Sequence, residues 1–416
     1  MCIRDRSWSL GLSGISLALV ALTAVATPIV LGAMWSEADA GGRSVKAYYA
    51  LVLVLQAMVI GAFLATDVLL FYILFEAMLI PMYFLIGVYG GDKRQYAAMK
   101  FLLYNLLGGL LMLAAVIGLY LQSPAGERTF GLAELVALDI DSTTQGWLFL
   151  GFMVAVAIKA PLWPLHTWLP DAATEAPSSQ AAYLSGVVDK VGTFGMVALV
   201  LPLFPDATQT FAPVVVTLAV ISVLYGGLLA IGQTDIKRII AFSSISHFGV
   251  IVLGIFALTS QGTSGSTFYM VSHGLSTAAL FIVGGFLIAR RGSRRLADFG
   301  GVQKPAPILA GFMLVAGLSG LAMPGLATFD SEFLVLVGTF SRYQVAAALA
   351  TFGIVLAALY ILIMYQRTMT GPTTPETENT PDVRGREAII VAPLFALLIA
   401  LGVAPTAMLD PIDDAT

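Results

Sequence analysis

The chain has 416 residues, 58% of them hydrophobic and 11% charged, with a mean hydropathy of +0.90. A soluble protein of this length needs more polar surface, and a net charge of −4 is too small to point to nucleic acid. The single cysteine, Cys2, excludes a disulfide framework and any cysteine-held cluster.

Met1 to Arg6 is polar and leads abruptly into an apolar stretch, without the apolar core and small-residue cleavage site of a signal peptide. Residues 1–10 therefore read as a spurious leader on a truncated start. Apolar runs of about 20 residues then recur along the chain. They predict an all-α polytopic membrane protein with about twelve transmembrane helices. The spans lie near 11–34, 46–65, 67–89, 95–120, 146–170, 176–201, 211–231, 236–258, 265–289, 306–340, 345–366 and 387–405. Segment 146–170 is broken by Pro161 and Pro164. Segment 306–340 would reach roughly 50 Å as one helix, against a hydrocarbon core of about 30 Å. Met323-Pro324-Gly325 supplies its interruption.

Fourteen basic residues, among them Lys93, Arg94, Lys237, Arg238, Arg290 and Arg294, fall in loops that follow odd-numbered spans. The other loops hold only Arg128 and Arg342. This bias places the odd-side loops in the cytoplasm. Five spans from about 46 to 201 are matched by five from about 211 to 366. In each set the second span opens on an aspartate (Asp67, Asp235) and carries a buried ionisable residue (Glu76, His247). In each set the fourth span is broken and carries another (Lys159, Glu332). An odd number of spans per unit makes the repeats inverted, with sites expected at the broken helices. The expected units are an N-terminal helix and loop (11–45), a first five-helix repeat (46–205), a second (206–370), and a linker, last helix and tail (371–416).

An ionisable side chain at membrane depth is a functional-site hypothesis by default. Glu76 lies roughly 13 Å into its span, and Lys159 is its natural partner. A static ion pair pinning two helices is the structural alternative. Lys190 follows Asp189, which would neutralise it locally if the two met. However, adjacent helical residues point apart. His247 and His273 lie at similar depth in adjacent spans, among serines, and suit proton passing. Two satisfied core histidines, or a haem between them, are the alternatives. Glu332 lies just past the second break and fits a terminal carboxylate, with Asp330 close by. Lys100 is near enough to the cytoplasm to snorkel. His166 caps the first broken helix or lines an intake path. Together these residues suggest movement of charge through a membrane.

The motifs are Phe75-Glu76-Ala77-Met78-Leu79-Ile80-Pro81, Lys159-Ala160-Pro161 with Pro164-Leu165-His166-Thr167-Trp168-Leu169-Pro170-Asp171, Ser244-Ile245-Ser246-His247-Phe248-Gly249, Ser272-His273-Gly274 and Ser331-Glu332-Phe333. After residue 10 the chain resembles the antiporter-like subunits of respiratory complex I, and most of all subunit M of bacterial NADH-quinone oxidoreductase. Sister subunits commonly carry lysine at the Glu332 position, and Asp330 departs from the apolar residue of the family pattern. The family has fourteen helices, so the resemblance begins at the third. It implies a multi-pass protein of the cytoplasmic (inner) membrane that pumps protons outward. Electron transfer from NADH to quinone would occur elsewhere in the complex. It also implies that Glu76 pairs with Lys159, and that the proton then passes Lys190, His247 and His273 to Glu332. No cofactor or metal is expected in this chain; NADH, FMN, iron–sulfur clusters and quinone belong to other subunits. Expected partners are the L-type and N-type subunits and the lipid bilayer. A sodium/proton antiporter or membrane-bound hydrogenase subunit is the alternative, and neighbouring genes would discriminate. A purely structural arm segment is a third reading, and full activity without the buried charges would support it.

Overall fold

The computed structural model describes residues 9–33, 35, 37 and 42–414. Residues 1–8 of the expected leader lie outside them. The helices are α1 (Gly14–Ala33), α2 (Val45–Leu64), α3 (Val68–Tyr89), α4 (Arg94–Gln122), α5 (Leu132–Val136), α6 (Ser142–Lys159), α7 (Trp168–Glu175) and α8 (Ser178–Leu203). There follow α9 (Pro205–Ile231), α10 (Ile236–Phe256), α11 (Ser260–Arg291), α12 (Pro307–Gly320), α13 (Ala327–Phe340), α14 (Gln344–Met369), α15 (Gly385–Val403) and α16 (Thr406–Asp413). Ten of those described are long and apolar enough to cross a membrane. With the interrupted pairs α6/α7 and α12/α13 they make the expected twelve spans.

The aspartates that open spans do so as caps. Asp67 Oδ1 accepts from the Leu70 amide at 2.7 Å, and Asp235 Oδ1 from the Lys237 and Arg238 amides at 2.9 and 3.2 Å. Each satisfies amides that the first helical turn leaves free. Beside each cap runs the same two-bond backbone bridge. The Val68 amide bonds Phe130 and the Leu132 amide bonds Thr66; likewise Ile236 bonds Arg294 and Leu296 bonds Thr234. The boundary that moves most is the start of α9, while α11 begins five residues earlier and α7 ends five residues later than expected. Helix α9 starts at Pro205 rather than near 211, because proline fits a helix's first position, and it runs on through Pro213.

Breaks occur where expected. The second spans 321–326, where Gly325 adopts φ +91°, a backbone region that favours glycine. Gly402 of α15 packs on this turn so closely that an added Cβ would lie 2.5 Å from the Leu326 carbonyl carbon. The most buried spans are α8, α10 and α11, with 89%, 100% and 94% of their central windows inside the protein. They form the middle of the bundle, and they carry Lys190, His247 and His273.

Small residues let these central helices touch at the backbone. A Cβ on Gly274 of α11 would lie 2.6 Å from the Gly186 carbonyl of α8, and a Cβ on Gly192 of α8 would lie 2.7 Å from the Ala160 amide after α6. We predict that Gly274→Val forces α8 and α11 apart at about 1–3 kcal/mol. This would lower the Tm of the purified assembly. An unchanged Tm would show that the contact is not needed for packing.

Candidate functional site

Lys159 is the last residue of α6, directly before the break. The Trp168 indole N–H covers the Ile158 carbonyl at 2.9 Å, and the Leu162 amide covers that of Ala157 at 2.9 Å. The break therefore leaves no cost in those carbonyls. Lys159 is 1% exposed. Its Nζ lies 5.2 Å from the Phe75 ring and 5.9 Å from the Phe101 ring.

Glu76 lies across α4 against Gly109, where an added Cβ would fall 1.8 Å from Oε1. Only a residue without a side chain admits the carboxylate there. Directly after Glu76 the ladder of α3 is disturbed at Met78, and Pro81 has no N–H to offer Ala77. The expected direct ion pair is not formed. Glu76 Oε1 and Lys159 Nζ have no hydrogen-bond partner, and no salt bridge within 4.0 Å joins them. The two charges interact across a gap.

Lys190 sits in a stretch of α8 flanked by π-helical turns, Leu184–Val188 and Met196–Val200. Such turns shift carbonyls out of the α register, often at functional sites. Lys190 Nζ donates to the Ser185 carbonyl at 2.8 Å, contacts His273 Nδ1 at 2.7 Å, and lies 4.2 Å from the Phe248 ring centroid. A charged Lys190 can only donate, so Nδ1 accepts and Nε2 carries the ring proton. That nitrogen faces Ser244 Oγ and Thr277 Oγ1, each at 3.0 Å.

His273, not His247, is thus the histidine against Lys190. His247 comes next, with its ring 5.3 Å from that of His273 and 6.0 Å from that of Tyr269. Its Nε2 lies 3.4 Å from Tyr360 Oη. Tyr269 Oη donates to Glu332 Oε2 at 3.0 Å. Beside it the Ser272 and Ser331 hydroxyls meet at 2.7 Å. Sequence reasoning missed Tyr269 and Tyr360. A tyrosine in an apolar helix carries no charge to mark it, and only the approach of α11, α13 and α14 gives it a role. Both ring nitrogens of His273 are engaged, which leaves none for a haem iron. Among the described residues no three His, Cys, Asp or Glu side chains gather as a metal site requires.

At the other end of α6/α7 the polar residues form a network. Asp171 binds Lys100 at 2.7 Å and Arg238 at 2.9 Å, so Lys100 is paired rather than free to snorkel. Glu175 binds Arg294 at 2.9 Å, and Arg294 also binds Asp235 at 2.7 Å. Burial pushes the Asp235 carboxyl upward, against the pull of Arg294. Nearby, burial likewise raises Glu37, which accepts from the Ser179 hydroxyl. Lys237 Nζ is bonded to the Ala176 carbonyl. His166 is buried, edge-on to Tyr225, and its carbonyl accepts from the Leu169 amide at 3.1 Å. Loops after the third, fifth, seventh and ninth spans therefore meet at one end of the bundle, as the basic-residue bias predicts.

Residues 65–357 match the family described as NADH:quinone oxidoreductase/Mrp antiporter, TM. A protein of Mycobacterium tuberculosis named NADH-quinone oxidoreductase subunit M is 53% identical, covering 98% of this chain and 80% of its own length. Its Rhodobacter capsulatus namesake is 38% identical, covering 98% and 82%. Among solved structures, a chain of respiratory complex I from Thermus thermophilus with bound NADH is 34% identical. Its TM-score is 0.90, with 98% of this chain and 85% of that chain covered. A chain of the Mrp complex from Dietzia shares the fold at TM-score 0.89 and 23% identity, over 98% and 85%.

The Tyr269–Glu332 contact generates a specific expectation. Tyr269→Phe leaves the buried Glu332 carboxyl without its phenol donor, at about 1–3 kcal/mol. The carboxyl stretch of Glu332 should move in infrared difference spectra, and Tm should fall. If neither changes, the contact is not made in the assembled protein.

Proposed function

The chain belongs to the NADH:quinone oxidoreductase/Mrp antiporter transmembrane family, within its subunit M branch, and from that premise we propose that Glu76, Lys159, Lys190, His273, His247 and Glu332 are successive stations of one proton path. The protein is a multi-pass subunit of the bacterial cytoplasmic membrane. It belongs to the membrane arm of NADH-quinone oxidoreductase, where electron transfer elsewhere in the complex is coupled to outward proton translocation.

The observation that carries the proposed path is the series of contacts from Lys190 to Glu332. It runs from Lys190 Nζ to His273 Nδ1 at 2.7 Å, from ring to ring at 5.3 Å, and through Tyr269 to Glu332 Oε2 at 3.0 Å. Charge displacement in a neighbouring subunit draws Glu76 away from Lys159. In a low-dielectric site, that loss of counter-charge loosens the proton on Lys159. The proton moves to Lys190 as its own proton passes to His273, then to His247 and to Glu332. Lys159 is refilled from the cytoplasmic end. The phenols of Tyr269 and Tyr360 orient the final transfers. Two five-helix units, 46–205 and 206–370, supply the intake and exit halves. The paired caps and bridges at Asp67 and Asp235 support this division. Neighbours of L and N type complete the arm, and the redox groups reside in other subunits. The relatives of subunit M type, rather than the fold shared with the Mrp chain, favour this coupling over sodium/proton exchange.

Glu76→Gln and Lys159→Met should each lower NADH-driven proton uptake by membrane vesicles about tenfold or more, equivalent to at least about 1.4 kcal/mol of barrier. Assembly of the complex should be normal on native gels. Full-strength pumping by either variant would refute the path.

A further inference from the structure

Asp189 is a buried carboxylate that the path above leaves unused. It is 0% exposed, and neither of its oxygens has a hydrogen-bond partner. Buried polar groups in folded proteins are nearly always bonded, and an unbonded carboxylate is costly. Among the described aspartates, Asp330 has one buried oxygen without a partner, Oδ2, whereas Asp189 has both. Asp67, Asp141 and Asp235 each accept from helix amides, and Asp171 binds two cations. Asp189 does none of these. Nor does it neutralise its neighbour by contact. Lys190 turns instead to the Ser185 carbonyl and His273, and no salt bridge within 4.0 Å joins the two.

Its place in the fold explains where the charge is felt. Three residues before Asp189, Gly186 meets the backbone of α11 at Gly274, beside His273. Three residues after it, Gly192 meets the Ala160 amide, the Val156 carbonyl and the Cβ of Lys159. Asp189 is thus held at the level where α8 spans from the Lys159 break to the histidine pair. The π-turn fixes it there, its amide bonding the Leu184 carbonyl at 3.0 Å. Lys159 and Lys190 both interact electrostatically with it.

We propose that Asp189 is a proton carrier shared by Lys159 and Lys190. The proposal rests on the path through these two lysines. In the forward step the Lys159 ammonium gives its proton to the Asp189 carboxylate, leaving a neutral amine and a neutral acid. Asp189 then gives that proton to the Lys190 amine, once Lys190 has passed its own to His273. Charge is conserved at each step, and the carboxylate is restored.

The test is NADH-driven proton uptake by inside-out membrane vesicles, followed with a dye quenched by the pH gradient. The content of assembled complex is measured on native gels. Asp189→Asn should assemble normally and lose proton uptake about tenfold or more, and Asp189→Glu should keep most of it. Wild-type uptake in Asp189→Asn would overturn the proposal, as would equal loss in Asp189→Asn and Asp189→Glu. Failure of Asp189→Asn and Asp189→Ala alike to assemble would make the residue a structural anchor and overturn it too. Lys159→Met separates the two levels. If it abolishes uptake while Asp189→Asn does not, only the role of Asp189 fails; if it too pumps fully, the path itself fails.

Discussion

A charge withdrawn from water must be met by a counter-charge, by fixed dipoles or by aromatic faces. That constraint shapes the whole interior. Lys159 is met by two phenylalanine rings. Lys190 is met by a carbonyl that the π-turn turns toward it, by His273 and by the face of Phe248. Glu332 is met by a phenol. None of these arrangements is a closed ion pair, so no proton is locked in place. A tight Glu76–Lys159 salt bridge would satisfy both charges and hold the proton firmly. The gap between them keeps their attraction adjustable.

The fold was largely legible in the sequence because membrane burial writes itself into hydropathy. Twelve spans, both breaks and the gathering of basic loops at one end follow from apolar run length, Pro161, Pro164, Met323-Pro324-Gly325 and the distribution of lysine and arginine. The start of α9 was not legible, since the polar residues around Thr208 hide a helix that begins at Pro205. The charged members of the candidate site were legible for the opposite reason: a lysine or glutamate in an apolar run is conspicuous. Their neighbours were not. Whether Lys190 faces His273 or His247 depends on the approach of Gly186 to Gly274, and one sequence holds no trace of that pairing.

Glycine acts here as a spacing device rather than a flexible joint. Gly109 admits the Glu76 carboxylate, Gly192 brings α8 onto the Lys159 break, and Gly186 with Gly274 brings it onto α11. These contacts lie beside Glu76, Lys159 and His273. The absent side chains set how closely the helices approach, and hydrogen bonds such as Lys190 to His273 then fix the groups between them.

The short helix α7 has a mechanical consequence. Asp171 binds Lys100 and Arg238, and Glu175 binds Arg294, so α7 is riveted to helices and loops on both sides of it. Pulling those sides apart would break three ion pairs at once and leave the nearly buried Glu175 carboxylate without its cation. Rocking of one half against the other, the habit of many carriers built from inverted repeats, is therefore braced at this end. At this end, the proposed path would then depend on side chains moving within a braced frame rather than on a hinge.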